Sequence, residues 1–232
     1  MKNTIIPFII LSIISSCLAQ TSSVKKKFCV AIFEKIFAEQ VYYRNKEEYI
    51  PITVRRSQRS QDYYVNGDHD LELYYQKTNE EGKITYQLIG KKAFNSTFKK
   101  TLFLIDKAKG RPEKLPLRIF AFDDDKASFP MGSFKFANLT GSILHIGFNR
   151  SKKTLKPLGS TTLFARKSEK GGFTPMSIFD QQGNQVYSSS MFSQNLSREF
   201  IFIYPPANGR TRPLLKYLYD SIPKKIDDGQ TP

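Results

Sequence analysis

Tryptophan is missing from the 232-residue chain, and cysteine and histidine occur only twice each. Without Trp, the Cys, Trp, Cys core of true immunoglobulin domains cannot form, and the broadest ring for stacking a sugar is gone. Two histidines, His69 and His145, leave little from which to build a neutral-pH base or a metal cluster. Long apolar runs are also absent. The greasiest stretch, Ile5 to Ile14, is interrupted by Pro7 and Ser12 and is too short for a bilayer, which needs about 20 residues. The chain has no Gly-x-Ser-x-Gly elbow, no His-Glu-x-x-His, no phosphate-binding loop and no dinucleotide glycine turn. No cofactor is expected, and the reading leans away from an enzyme.

The start of the chain has the layout of a secretory signal peptide: basic Lys2, the apolar run, then small residues up to Ala19. Residues 1–19 are therefore set apart from the fold. Two processing routes fit. Cleavage after Ala19 releases an unanchored protein, whereas Ile14-Ser15-Ser16-Cys17 resembles a bacterial lipobox, with Cys17 as the acylated residue. Membrane attachment is expected only in the second case. Either way the protein is expected to be exported, periplasmic or extracellular. Cys29 is then the one thiol in the body of the chain, so no internal disulfide forms and stability rests on apolar burial. Within Phe28-Cys29-Val30-Ala31-Ile32-Phe33, Cys29 reads as a small buried hydrophobe.

What the sequence does contain is strands. Short apolar segments rich in Tyr, Phe, Ile, Val and Leu recur, separated by turn signals such as Asn66-Gly67, Glu81-Gly82 and Gln182-Gly183-Asn184. Phe28 to Val41 also fits a helical stripe; its first half is read as strand. An internal repeat organises the rest. Phe94 to Ile105 aligns without a gap with Phe192 to Ile203, and each block leads to a Gly-Arg pair and then a Pro-Leu strand ending in Asp123 or Asp220. Upstream, Gly82 and Tyr86 correspond to Gly183 and Tyr187, and Ser60 to Val65 to Ser160 to Ala165. A unit of about 100 residues with seven or eight short strands has the size of one β-sandwich. The expectation is an all-β protein of two tandem β-sandwich domains, Ig-like or Greek-key, over 24–125 and 126–222, followed by a polar tail at 223–232. Asp123-Asp124-Asp125-Lys126 is read as an exposed connection between them.

Phe129-Pro-Met-Gly-Ser-Phe-Lys-Phe-Ala-Asn-Leu-Thr140 and the later Arg198 to Ile203 segment resemble a loosely defined group of uncharacterised exported bacterial β-sandwich proteins. The resemblance implies export and an all-β fold. It implies no activity and no catalytic residue.

With 36 basic against 21 acidic residues, the surface field favours polyanions. The basic groups concentrate at Lys25-Lys26-Lys27, Arg55-Arg56-Ser57-Gln58-Arg59, Arg150-Ser151-Lys152-Lys153 and Arg166 to Lys170. Adjacent tyrosines, Tyr42-Tyr43, Tyr63-Tyr64 and Tyr74-Tyr75, place one ring outward and one inward on an extended chain. Arg55, Arg56, Arg59, Tyr63, Tyr64, Arg150, Lys152 and Lys153 are thus the candidate polyanion contacts. Acidic polysaccharide, an envelope polymer or another envelope protein are the expected partners, ahead of nucleic acid. Asp68-His69-Asp70, in the tight Asn66-Gly67 turn, is the candidate metal site. Two other functional classes stay open, a periplasmic assembly chaperone acting by strand addition and a hydrolase whose carboxylates converge in space.

Overall fold

Strand follows strand throughout the described residues of the computed structural model, which are 25–37, 39–108, 115–165, 172–193 and 196–221. The signal segment, Cys17 and the polar tail lie outside them. Sixteen strands are described: β1 Lys25–Ile32, β2 Val41–Asn45, β3 Glu48–Ile52, β4 Tyr63–Asn66, β5 Leu71–Thr78, β6 Ile84–Lys92, β7 Lys100–Lys107, β8 Leu117–Asp123, β9 Ser133–Asn138, β10 Leu144–Phe148, β11 Ser151–Leu155, β12 Ser160–Phe164, β13 Gly172–Phe179, β14 Gln185–Ser193, β15 Ser197–Tyr204 and β16 Leu214–Ser221. No helix occurs among the described residues. Phe28 to Ile32 is strand, so the helical stripe loses to sheet pairing on both sides of β1.

The strands form four sheets of four, ordered β4-β1-β7-β8, β3-β2-β5-β6, β12-β9-β15-β16 and β11-β10-β13-β14. Adding eight to every strand number in the first two orders reproduces the last two. The correspondence extends to orientation, because β1 with β7 and β9 with β15 are parallel and every other pair is antiparallel.

Side-chain patterning explains how the sheets stack. β10 alternates, with Leu144, Ile146 and Phe148 buried and His145 and Gly147 half-buried, as a strand with one covered face must. The central strands β1, β7, β9 and β15 are instead covered on both faces, because each lies between two layers, and β9 accordingly buries Ser133 and Lys135 on one of them. Phe28, Val30, Phe103 and Ile105 enter a core shared with Val41, Tyr43, Leu71, Leu73 and Ile89 of the second sheet. Their neighbours Cys29, Ala31, Leu102 and Leu104 point the other way, against Ala137, Phe200, Phe202 and Leu218 of the third sheet. A third core joins Phe134, Phe136, Ile201 and Ile203 to Phe148, Met176 and Ile178 of the fourth. The result is four layers and three cores, with the middle core formed jointly by the first and last eight strands. Cys29 is fully buried there, and burial pushes its thiol pKa up.

The connection after β8 is exposed at Lys126 to Ser128, as expected, but two of its residues turn inward. Asp124 and Phe129 are fully buried. Arg198, itself buried, donates to the carbonyls of Asp124 at 3.2 Å and Phe129 at 2.9 Å, and its guanidinium lies 3.4 Å from the Asp124 carboxylate. A cation brought inward on β15 thus requires the acid of the connection as its counter-charge.

Candidate functional site

The outward face of the β3-β2-β5-β6 sheet is aromatic. Cross-strand register sets Tyr42 opposite Tyr74, Arg44 opposite Tyr49 and Gln76 opposite Tyr86, all with side chains away from the core. Tyr49 and Tyr86 stack with centroids 3.6 Å apart and planes 2° from parallel. Tyr74 meets Tyr49 edge-on at 5.0 Å, and Tyr42 meets Tyr86 edge-on at 5.5 Å. The corresponding face of the partner half has no tyrosine cluster: it carries His145, Gly147, Thr154, Ser177 and Ser188, with Phe179 under Lys152 at 5.2 Å and the Phe173–Phe192 pair at one end, and His145 Nδ1 lies 3.0 Å from Thr154 Oγ1.

At one end this tyrosine face runs into a cleft of about 320 Å³ lined by Arg44, Lys46, Asp68, His69, Asp70, Glu72 and Lys91. Glu72 anchors the junction: it accepts a hydrogen bond from the Tyr74 hydroxyl at 2.7 Å and one from Lys91 at 2.9 Å. Those two bonds hold its pKa below the ordinary value, Tyr74 contributing most. Burial, helped by Glu72, pushes Tyr74 up to about 12. A glycosidase acid needs the opposite shift. The other two acids in the cleft are also held by lysines, Asp68 by Lys26 at 3.3 Å and Asp70 by Lys91 at 3.6 Å. Among the described residues no three His, Cys, Asp or Glu side chains converge closely enough for a metal ion. Asp68, His69 and Asp70 therefore share a cleft without forming a ligand cluster.

The polyanion candidates separate into two sets. Arg55, Arg56, Tyr64, Arg150, Lys152 and Lys153 are exposed. Tyr64 carries Lys25 over its ring at 4.2 Å and Lys27 at 5.9 Å, while Arg56 Nε donates to the Phe33 carbonyl. Arg150, Lys152 and Lys153 lie at the β10–β11 hairpin on another sheet, so the two arginine-bearing clusters do not merge. Two candidates point inward and are corrected. Tyr63 is a core residue whose hydroxyl donates to the Thr53 carbonyl and accepts from the Thr53 N–H. Arg59 pairs with the buried Asp124 at 3.2 Å. Strand alternation had marked one ring of each Tyr pair as internal; the direction of Arg59 depends on an acid 65 residues away. Tyr49 and Tyr86, isolated in the sequence, had no adjacent Tyr to mark them.

One further carboxyl stands out. Burial alone pushes Glu199 up to about 7 from 4.5. The folded pKa exceeds the unfolded one, so the penalty is absent below about pH 4.5, grows from there to pH 7, and is complete above it. After discounting for the part of this half-buried group that stays solvated, Glu199→Gln is expected to stabilise the protein by about 1–2 kcal/mol at pH 8 and negligibly at pH 4. Thermal unfolding of both proteins at the two pH values checks this; equal midpoints at pH 8 would refute it.

Compared with known protein families and with curated proteins, the chain matches none in sequence.

Proposed function

We propose that the protein is an exported, non-enzymatic module of the cell envelope, made of two tandem β-sandwiches over 24–125 and 126–222 behind a signal peptide, and that it binds an acidic polysaccharide. The carrying observation is the tyrosine face of β3-β2-β5-β6, with Arg44 and Lys46 exposed where it meets the cleft. Pyranose rings present C–H faces that pack on aromatic rings, and their carboxylates pair with Arg and Lys. The repeated strand order supports a duplicated unit, and the tyrosine cluster is what distinguishes the first copy. Exposed Arg55, Arg56, Arg150, Lys152 and Lys153 add a long-range attraction for the same polymer.

Polygalacturonate, with neutral dextran as control, is a suitable probe. Binding to polygalacturonate is expected to weaken as salt rises, and Tyr49→Ala/Tyr86→Ala to reduce affinity about tenfold or more through loss of both rings that pack against the sugar. Affinity indifferent to the tyrosine replacements would remove the face from the reading, and affinity indifferent to salt would remove the acidic polymer.

A further inference from the structure

A second cleft, of about 730 Å³, opens where the ends of β7 and β15 meet, and both halves of the chain line it. Its floor is built from matched positions. Asp106 and Tyr204 directly follow the aligned blocks of the internal repeat, and the Tyr204 hydroxyl donates to Asp106 at 3.2 Å. Tyr204 is buried, and Lys216 lies over its ring at 4.7 Å while bonding Glu34 at 2.8 Å. Arg118 sits over the Phe120 ring at 4.8 Å and 3.6 Å from the Asp106 carboxylate. Lys216 and Arg118 are thus each committed to an acid and to a ring. Lys107, which closes β7, and Arg210, in the β15–β16 connection, are not: both are exposed, and among the described residues neither side chain meets an acid or a ring. Arg210 is nonetheless placed by its backbone, its N–H donating to the Ala207 carbonyl at 2.9 Å. The uncommitted charges therefore come one from each half, beside an exposed apolar wall of Pro205, Pro206 and Leu214.

We propose that this cleft binds a small organic anion carrying two oxyanion groups, one for Lys107 and one for Arg210, with its carbon skeleton on Pro205, Pro206 and Leu214. Clefts of about 300–1,000 Å³ where two folded units meet are the usual seats of small ligands. Charge then selects the class. Glu34 and Asp106 do not repel an anion, because Lys216 and Arg118 neutralise them, so the field inside the cleft is set by the two cations left over. Arginine takes a carboxylate or phosphate through two parallel bonds, and lysine adds a point charge. Simpler ligands leave part of the cleft idle. A neutral molecule ignores both cations, and a lone phosphate leaves the apolar wall in water. Because the floor is already bonded in place, binding has only the two long side chains of Lys107 and Arg210 to order. Occupancy also joins the halves, since each oxyanion engages a different copy of the repeat, and a ligand that binds only the folded pair stabilises it.

The cleft shares no residue with the tyrosine face and does not rest on the polysaccharide reading. Isothermal titration of the purified protein at low salt tests it, with fructose 1,6-bisphosphate and citrate as probes and with inorganic phosphate and glucose as controls. At least one probe is expected to bind about tenfold or more tightly than inorganic phosphate, the tighter of the two naming the oxyanion as phosphate or carboxylate, and glucose is expected not to bind. Lys107→Gln/Arg210→Gln should lose about tenfold or more in affinity for that probe while keeping the parent's thermal midpoint in its absence. Lys152→Gln/Lys153→Gln, which removes as much charge from β11, and Tyr49→Ala/Tyr86→Ala should both bind the probe as the parent does. The probe should raise the thermal midpoint of the parent and leave that of Lys107→Gln/Arg210→Gln where it is. Binding of neither probe overturns the proposal, and so does inorganic phosphate binding as tightly as the better probe. Equal losses in Lys107→Gln/Arg210→Gln and Lys152→Gln/Lys153→Gln would assign the attraction to the basic surface as a whole and overturn it as well.

Discussion

Asp124→Asn is expected to lower stability by about 3–5 kcal/mol at neutral pH, the cost of leaving buried cations without their counter-charge. The carboxylate lies 3.2 Å from Arg59, 3.4 Å from Lys100 and 3.4 Å from Arg198, and the Cys29 thiol donates to it at 3.6 Å. Two further acids complete the network: Asp62 bridges Lys27 and Lys100 at 2.8 Å each, and Asp220 holds Arg198 at 2.9 Å. Arg59 is already short of acceptors, its Nε and Nη1 lacking hydrogen-bond partners. Asparagine keeps the volume, so the loss is electrostatic rather than a cavity. Burial pushes the Asp124 pKa up, but Arg59, Arg198 and Lys100 together outweigh it and hold the group below its ordinary value. A depressed carboxylate pKa stabilises above the unfolded value and ceases to do so as pH falls through the folded one. The gap between parent and variant is therefore full at pH 7 and narrows below about pH 4. For a chain of this size each kcal/mol moves the midpoint by about 2–4 °C, so roughly 10 °C separates the two at neutral pH. A difference under about 1 kcal/mol would show that the network is screened and that these cations need no buried acid.

This network also marks where reading the sequence stops. Strands announced themselves at many places where one or both faces are buried, as in Leu102 to Ile105 or Ile143 to Phe148, though not at Gly172–Phe179, where Thr174, Pro175 and Ser177 break the apolar pattern. Ser151–Leu155 and Gln185–Ser193 did not, because they lie at sheet edges with mostly solvated side chains, Lys152, Lys153 and a run of serines. The repeat was visible because β7 and β15 occupy the same covered position and so need the same apolar run. Alternation likewise separated Tyr42 from Tyr43 and Tyr63 from Tyr64. Charge was the misleading signal. Arg59, Lys100 and Arg198 count toward the basic excess, yet they serve as internal counter-ions of Asp124, while Lys27 is paired with Asp62 nearer the surface. Nothing local distinguishes them from Arg55 or Lys152, since their partners lie 24 to 74 residues away.

Phe202→Ala should cost about 3–5 kcal/mol and, more tellingly, should weaken both halves at once. Phe202 is fully buried on β15, stacked on Phe200 at 4.3 Å and set edge-on to Phe33 at 5.4 Å and Phe122 at 5.5 Å. Phe33, just after β1, and Phe122 of β8 belong to the first half, so the void opens in a core to which each half contributes about equally. Side chains that must be covered on both faces cannot keep one face dry if the other half unfolds. Cys29, Ala31, Leu102 and Leu104 would be bared to water by loss of the last eight strands, and Phe200 and Phe202 by loss of the first. Cooperative unfolding of the two halves follows from that shared burial together with the Asp124 ion network. Amide exchange read at Leu73 and Ile178, which lie in the two outer cores, should show the same loss of protection in Phe202→Ala. Phe148→Ala, a void of similar chemistry in the third core, serves as the comparison, and it too should reach Leu73 if unfolding is global. Protection that falls at Ile178 and holds at Leu73 in both variants would mean that each half stands alone and the middle core is an interface between independent bodies.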